Sequence, residues 1–76
     1  MITFKKNPAG ALVTTKRIGT FTVSFYQDEY GMYDILITQL MGPDQPPYTW
    51  YHGQTDLITD LNQAFQDPIG YAQENQ

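Results

Sequence analysis

The chain has no cysteine, so no disulfide can staple it and no thiolate can hold a zinc ion. Basic residues are few: Lys5, Lys6, Lys16 and Arg17, with none after position 17. There is one histidine, His52. Charged residues make up only 16%, below the ~25% of an ordinary soluble domain. The longest apolar stretch is Ile35-Leu36-Ile37, extended by Leu40 and Met41, far short of the ~20 residues that cross a bilayer. The start, Met1 to Pro8, holds no apolar region of signal-peptide length, and neither end carries a lipidation motif. Phosphate-binding glycine loops of the GxGxxG or GxxxxGK[ST] kind are missing too. Together these absences leave a cytoplasmic location as the expectation.

What is present suits one small folded unit. The 76 residues are 41% hydrophobic and 14% aromatic, enough to collapse. A chain this short buries only roughly 60–65% of its unfolded surface, so little stability is in reserve. The net charge is -4, and it is unevenly spread. All eight acids, Asp28, Glu29, Asp34, Asp44, Asp56, Asp60, Asp67 and Glu74, follow all four bases. Such polarity can steer a basic partner to one part of the molecule and an anionic partner to another.

Hydrophobic period reads the elements. Ile2 to Lys6 alternates weakly, and Asn7-Pro8-Ala9-Gly10 is a turn. Leu12 to Thr15 is β-branched and reads as a strand. Phe21, Val23 and Phe25 alternate with polar residues, and Tyr33, Ile35 and Ile37 resume the pattern. For those two sets to share a face, paired residue numbers must sum to an even number, so the loop between them must be odd in length. A three-residue loop ending on a left-handed Gly31 meets that condition. The prolines of Gly42 to Pro47 exclude a central strand, and Pro43-Asp44-Gln45-Pro46 is read as a stiff connector. Tyr48 to His52 reads as a further strand ended by Gly53. Thr55 is placed to cap a helix beginning at Asp56, with Leu57, Ile58, Leu61, Ala64 and Phe65 as its apolar stripe, and Pro68 stops it near Asp67.

The expected fold is therefore α+β: an antiparallel sheet of three to four strands followed by one C-terminal helix packed on one face. Residues 1–72 form a single α+β domain, and 73–76 a disordered tail. The expected core is Phe21, Val23, Phe25, Tyr33, Ile35, Ile37, Leu57, Ile58, Leu61 and Phe65.

No residue set points to catalysis, a cofactor or a metal. His52 and Asp56 are four apart, but Gly53 and the helix start fall between them, and two ligands do not make a zinc site. Asp56 and Asp60 at helical spacing repel each other mildly; either Asp56 serves the helix N-terminus or the pair faces a basic partner. Aromatics stand out instead. Tyr26, Tyr30 and Tyr33 gather near one hairpin end, and Tyr48, Trp50 and Tyr51 lie in the later strand. Core packing takes some of them and protein contact others, because base stacking needs a positive groove and this half of the chain is acidic.

The strand from Met32 to Met41 is apolar on both sides, so a second face with Ile18, Tyr26, Met32, Leu36 and Leu40 needs a cover. The N-terminal segment, Ile69 to Ala72, or another molecule are the choices. The function expected is that of a small acidic, non-catalytic protein that binds or modulates a larger protein partner as an accessory or inhibitory factor, or that forms a homo-oligomer. The candidate interface residues are Tyr26, Met32, Leu36, Leu40, Trp50, Asp56 and Asp60. The alternative is a weak nucleic-acid binder using Lys5, Lys6, Lys16 and Arg17. Four phosphate contacts limit its log–log salt slope to at most ~3.6. The expected gel-shift result is no sub-micromolar binding to single- or double-stranded DNA at physiological salt; a shift abolished by Lys16→Ala with Arg17→Ala favours the alternative.

Overall fold

Turn chemistry decides how the strands follow one another. The structure, a computed structural model, describes residues 2–75. Its strands are β1 (Lys5–Lys6), β2 (Leu12–Ile18), β3 (Phe21–Gln27), β4 (Tyr33–Gln39) and β5 (Tyr48–Thr55), and its helices α1 (Ile58–Gln66) and α2 (Pro68–Glu74). Every strand pairs antiparallel with its neighbour in the chain, giving a sheet in the order β1-β2-β3-β4-β5. Asn7 closes the first turn: its carbonyl accepts from Gly10 N at 2.9 Å and its side chain from Ala11 N at 2.9 Å. Gly19-Thr20 joins β2 to β3 as a two-residue turn with Gly19 at φ +61, the conformation such a hairpin asks of its first central residue.

The β3–β4 hairpin has the predicted parity. Phe25 pairs with Ile35 and Val23 with Ile37. Asp28 N bonds Met32 O, leaving Glu29, Tyr30 and Gly31 as the loop, with Gly31 at φ +83. The Asp28 carboxylate accepts from Tyr30 N and Met32 N, replacing ladder bonds the turn cannot make.

Both helices lie on one side of the sheet, α1 against β3 and α2 against β5. The core between them is Val23, Phe25, Ile35, Ile37, Leu61, Ala64, Tyr71 and Ala72. Phe65 tilts against Phe25 with ring centroids 5.9 Å apart. At the far end of α1 the last carbonyls have no partner within the helix, and α1 carries no base in its last turn. Lys16 of β2 supplies one: its Nζ donates to Phe65 O at 2.9 Å and lies 4.3 Å above the Phe65 ring.

Several expectations need correction. Among the described residues the sheet has five strands and there are two helices. Pro68 does end α1, but it also begins α2, because a proline at the first helical turn forfeits no bond; the Asp67 side chain caps that start by accepting from Gly70 N. Of the residues expected as a tail over 73–76, Gln73 and Glu74 belong to α2 and Asn75 follows as its cap, while Gln76 lies outside the described residues. The strand expected to stop at His52 runs through Gly53 to Thr55. Consequently α1 starts at Ile58 rather than Asp56. Thr55 does not cap it in the expected way. Its hydroxyl accepts from Leu57 N at 3.1 Å and donates to Asp60 Oδ2 at 2.6 Å, which holds the chain extended for two residues more. Leu57 and Ile58 are therefore 54% and 53% exposed, not core, and Phe21, Tyr33 and Phe65 are half-buried.

Gly53 has a packing role inside β5. A Cβ there would stand 2.3 Å from the Tyr51 hydroxyl, so the bare backbone makes room for the Tyr51 ring. That ring meets Tyr71 edge-on at 5.3 Å, tying β5 to α2. Burial, with the Tyr51 hydroxyl and then the Asp60 carboxylate nearby, pushes the Tyr71 phenol from its ordinary 10.0 up to about 12.

Two outcomes follow from this packing. Leu61→Ala should cost about 2–5 kcal/mol, as for other large-to-small core changes, whereas Ile58→Ala should stay within about 0.5 kcal/mol, as at ordinary surface positions; thermal melts compare them. A phenol whose folded pKa lies above its unfolded value keeps its contribution below the unfolded value and loses it as pH rises through the folded one. Denaturation midpoints of the native chain should thus fall more steeply between pH 10.0 and about 12 than those of Tyr71→Phe.

Candidate interaction surface

Strand alternation sorts the remaining side chains into two surfaces. On the side away from the helices, the cross-strand rows are Val13, Tyr26, Asp34 and Gln54; then Thr15, Ser24, Leu36 and His52; then Arg17, Thr22, Thr38 and Thr49. Among the described residues no element packs over them. The N-terminal segment is instead placed with Ile2 and Phe4 against the helix-side core, and Ile69 to Ala72 lie in α2. The second face is also less apolar than expected. Leu36 is half-buried between Ser24 and His52 in a surface made mostly of hydroxyl and amide groups, which water can cover. Ile18 pairs with Phe21 and has the parity of Lys16, so it belongs to the helix side and not to this face.

The other surface lies on the helix side, beyond the reach of α1 and α2. A β-bulge between Ile37 and Thr38 causes it. Ile37 pairs with Tyr51 and Thr38 with Thr49, so Trp50 is the extra residue. Simple alternation would send Trp50 and Tyr51 to opposite sides. The bulge instead turns Trp50 onto the helix side, where it stands 6.3 Å from Phe21 and 5.4 Å edge-on from Tyr48. Its indole N–H donates to Gln39 Oε1 at 3.1 Å, and Gln39 Nε2 donates to Thr20 Oγ1 at 3.3 Å. Ile18, Phe21, Gln39 and Tyr48 thus form one row across β2 to β5, with Trp50 beside it. At ~4.8 Å per strand the row is ~14 Å wide.

This ledge is open. Ile18 is 40% and Tyr48 52% exposed. The chain leaves β4 at the same end, where Leu40 N donates to Thr20 O at 2.9 Å. There Thr20, Leu40, Met41, Gly42, Pro43 and Gln45 line a groove of about 600 Å³, and Leu40 and Met41 are half-exposed. No residue of the ledge or the groove carries a charge; Arg17 and Asp44 flank them in sequence.

The candidate residues read from the sequence are scattered over the molecule. Leu40 and Trp50 come together at the ledge end. Tyr26 and Leu36 lie on the helix-free side, and Met32 sits in the β3–β4 connection at the opposite end. Asp56 precedes α1, so it is not a helical neighbour of Asp60, whose carboxylate is occupied by Thr55. Of the four bases, Lys16 is engaged with the end of α1, Lys5 and Lys6 form the edge strand β1, and Arg17 faces the helix-free side. Among the described residues no three His, Asp or Glu side chains gather as a metal site, and no helix is long and apolar enough to cross a membrane. Phe21 and Tyr48 were missed as partners of Trp50. The one signal for them was the run Tyr48 to Tyr51, with aromatics at both parities of a strand. Neither protein-family models, nor curated proteins, nor solved structures show a match to the chain.

Proposed function

We propose that the chain is a non-catalytic protein-binding module, and that its ledge of Ile18, Phe21, Tyr48 and Trp50, continued by Leu40 and Met41, receives an apolar anchor of a larger protein. The observation that carries this reading is the exposed Tyr48 set edge-on against the half-buried Trp50, with no charged residue in the ledge, beyond the two helices. Tryptophan and tyrosine in such settings dominate binding energy, since they bury large rigid area at small entropic cost.

Charge supports the choice of partner. The stretch from Asp56 to Asn75 holds Asp56, Asp60, Asp67 and Glu74 and no lysine or arginine. A partner with a basic surface next to its apolar anchor would be steered to that helix layer and held at the ledge. An accessory or inhibitory role, in which the acidic layer covers the partner's basic surface, follows the same geometry. The nucleic-acid alternative has less behind it. Lys16 spends its ammonium on the Phe65 carbonyl, and the other three bases do not share one face.

The test is affinity capture from the native host with three baits: the native chain, the ledge variant Leu40→Ser with Tyr48→Ala, and the helix-free-side variant Thr38→Ala. One protein should be retained in stoichiometric amount by the first and third baits. Its retention by the ledge variant should fall by about thirtyfold, the equivalent of losing a hot spot of ~2 kcal/mol. Equal retention by all three, or retention of nucleic acid that salt releases, would overturn the reading.

A further inference from the structure

The two edges of the sheet are protected very differently. β1 is two residues long and both are lysine, Lys5 and Lys6. A short, charged edge of this kind refuses an added strand. β5 is eight residues long and, among the described residues, pairs only with β4. Between Tyr48 and Thr55 it has no lysine, arginine, acid or proline. Its one irregularity, the bulge at Trp50, lies in its first half, and from Tyr51 to Thr55 its register with β4 is unbroken. Along that outer side alternate backbone N–H and C=O groups face outward, as on any edge strand.

We infer that this open edge of β5 pairs antiparallel with β5 of a second copy, joining two five-stranded sheets into one. Charge leaves this strand as a place where two copies can meet. Each chain carries a net charge of -4, so most approaches of two copies are repulsive. β5 has no formal charge, and two such strands meet with no like charges opposed. The neutrality of the strand also offers nothing to a basic or an acidic peptide.

Side-chain pairing fits a two-fold axis near Gly53. With Gly53 opposite Gly53 of the copy, neither strand sets a Cβ at the axis. On the helix-free side the exposed His52 then faces Gln54 of the copy, and Gln54 faces its His52. An imidazole and an amide are a pair in which each group can donate to or accept from the other. On the helix side Tyr51 faces Thr55. The arrangement is the isologous interface of a closed dimer: each copy uses its one open edge, so growth stops at two. The ledge takes Tyr48 and Trp50 from the first half of β5, whereas the dimer pairs the backbone of its second half, from Tyr51 to Thr55, so each proposal has its own test.

Sedimentation of the purified chain over a wide concentration range tests the idea, with His52→Lys combined with Gln54→Lys as the edge variant. The native chain should approach twice its 8.7 kDa as concentration rises. The variant should weaken the dimer by about tenfold or more, because it sets lysines directly across the new strand pair. Its thermal melt, measured at a concentration where both proteins are monomeric, checks that the fold is kept. Hydrogen exchange on the native chain gives a readout that needs no variant: amides within Tyr51 to Thr55 should gain protection with concentration. A monomer at every concentration would overturn the inference. So would a dimer unaffected by the lysines, or one whose added protection falls outside β5.

Discussion

Neither helix can stand by itself. α1 has nine residues and α2 seven, both below the length at which a helix is more than marginal in water. What holds them is the apolar quartet Val23, Phe25, Ile35 and Ile37 at the centre of the β3–β4 hairpin. The quartet is fully buried because Leu61, Ala64, Tyr71 and Ala72 cover it, and those four are buried because the quartet is there. Two further ties fix the helices in place. Lys16 reaches from β2 to the end of α1, and Tyr51 reaches from β5 to Tyr71 of α2. The helices thus span the width of the sheet at its middle and leave one end of the same side bare. The ledge is what this short helix pair does not reach.

The ledge also explains why so much aromatic surface survives in a chain with few charges. Phe21 and Trp50 are half-buried against each other, and the Gln39 amide satisfies the indole. The cluster is therefore preformed and need not rearrange to accept an anchor, which lowers the entropic cost of binding. The helix-free side is of another kind. Its threonines, serine and glutamine amide hydrogen-bond well to water, and Leu36, Val13 and Tyr26 are interrupted among them by polar and charged side chains.

Period-two alternation made the β3–β4 hairpin legible, down to the odd loop and Gly31, because register there depends on local parity alone. Where a rule of the same kind failed, a specific local interaction had overridden it. Leu57 and Ile58 fit the helical stripe, but the Thr55 hydroxyl keeps the backbone extended through Leu57, so that Ile58 only opens α1 and stays exposed. Pro68 reads as a stop, yet proline is equally suited to a first helical turn, and one residue served both helices. Gly53 reads as punctuation, yet it lies inside β5 as the floor under Tyr51. The candidate surface was legible only in part. Leu40 and Trp50 were named, but alternation separates Trp50 from its true neighbours unless the bulge is known. Charge segregation along the chain was plain; that Lys16 would be spent inside the fold was not, since its acceptor lies 49 residues away.

The strand order has a consequence for synthesis. Each strand pairs only with its predecessor and successor, so the sheet can zip hairpin by hairpin as the chain emerges, with small loop-closure cost at each step. The helices come last in the chain. During translation the quartet of β3 and β4 is therefore made well before the residues that will cover it. For that interval the nascent sheet is apolar on one side, and the residues from Leu61 to Ala72 act as a built-in lid whose arrival ends its exposure to aggregation.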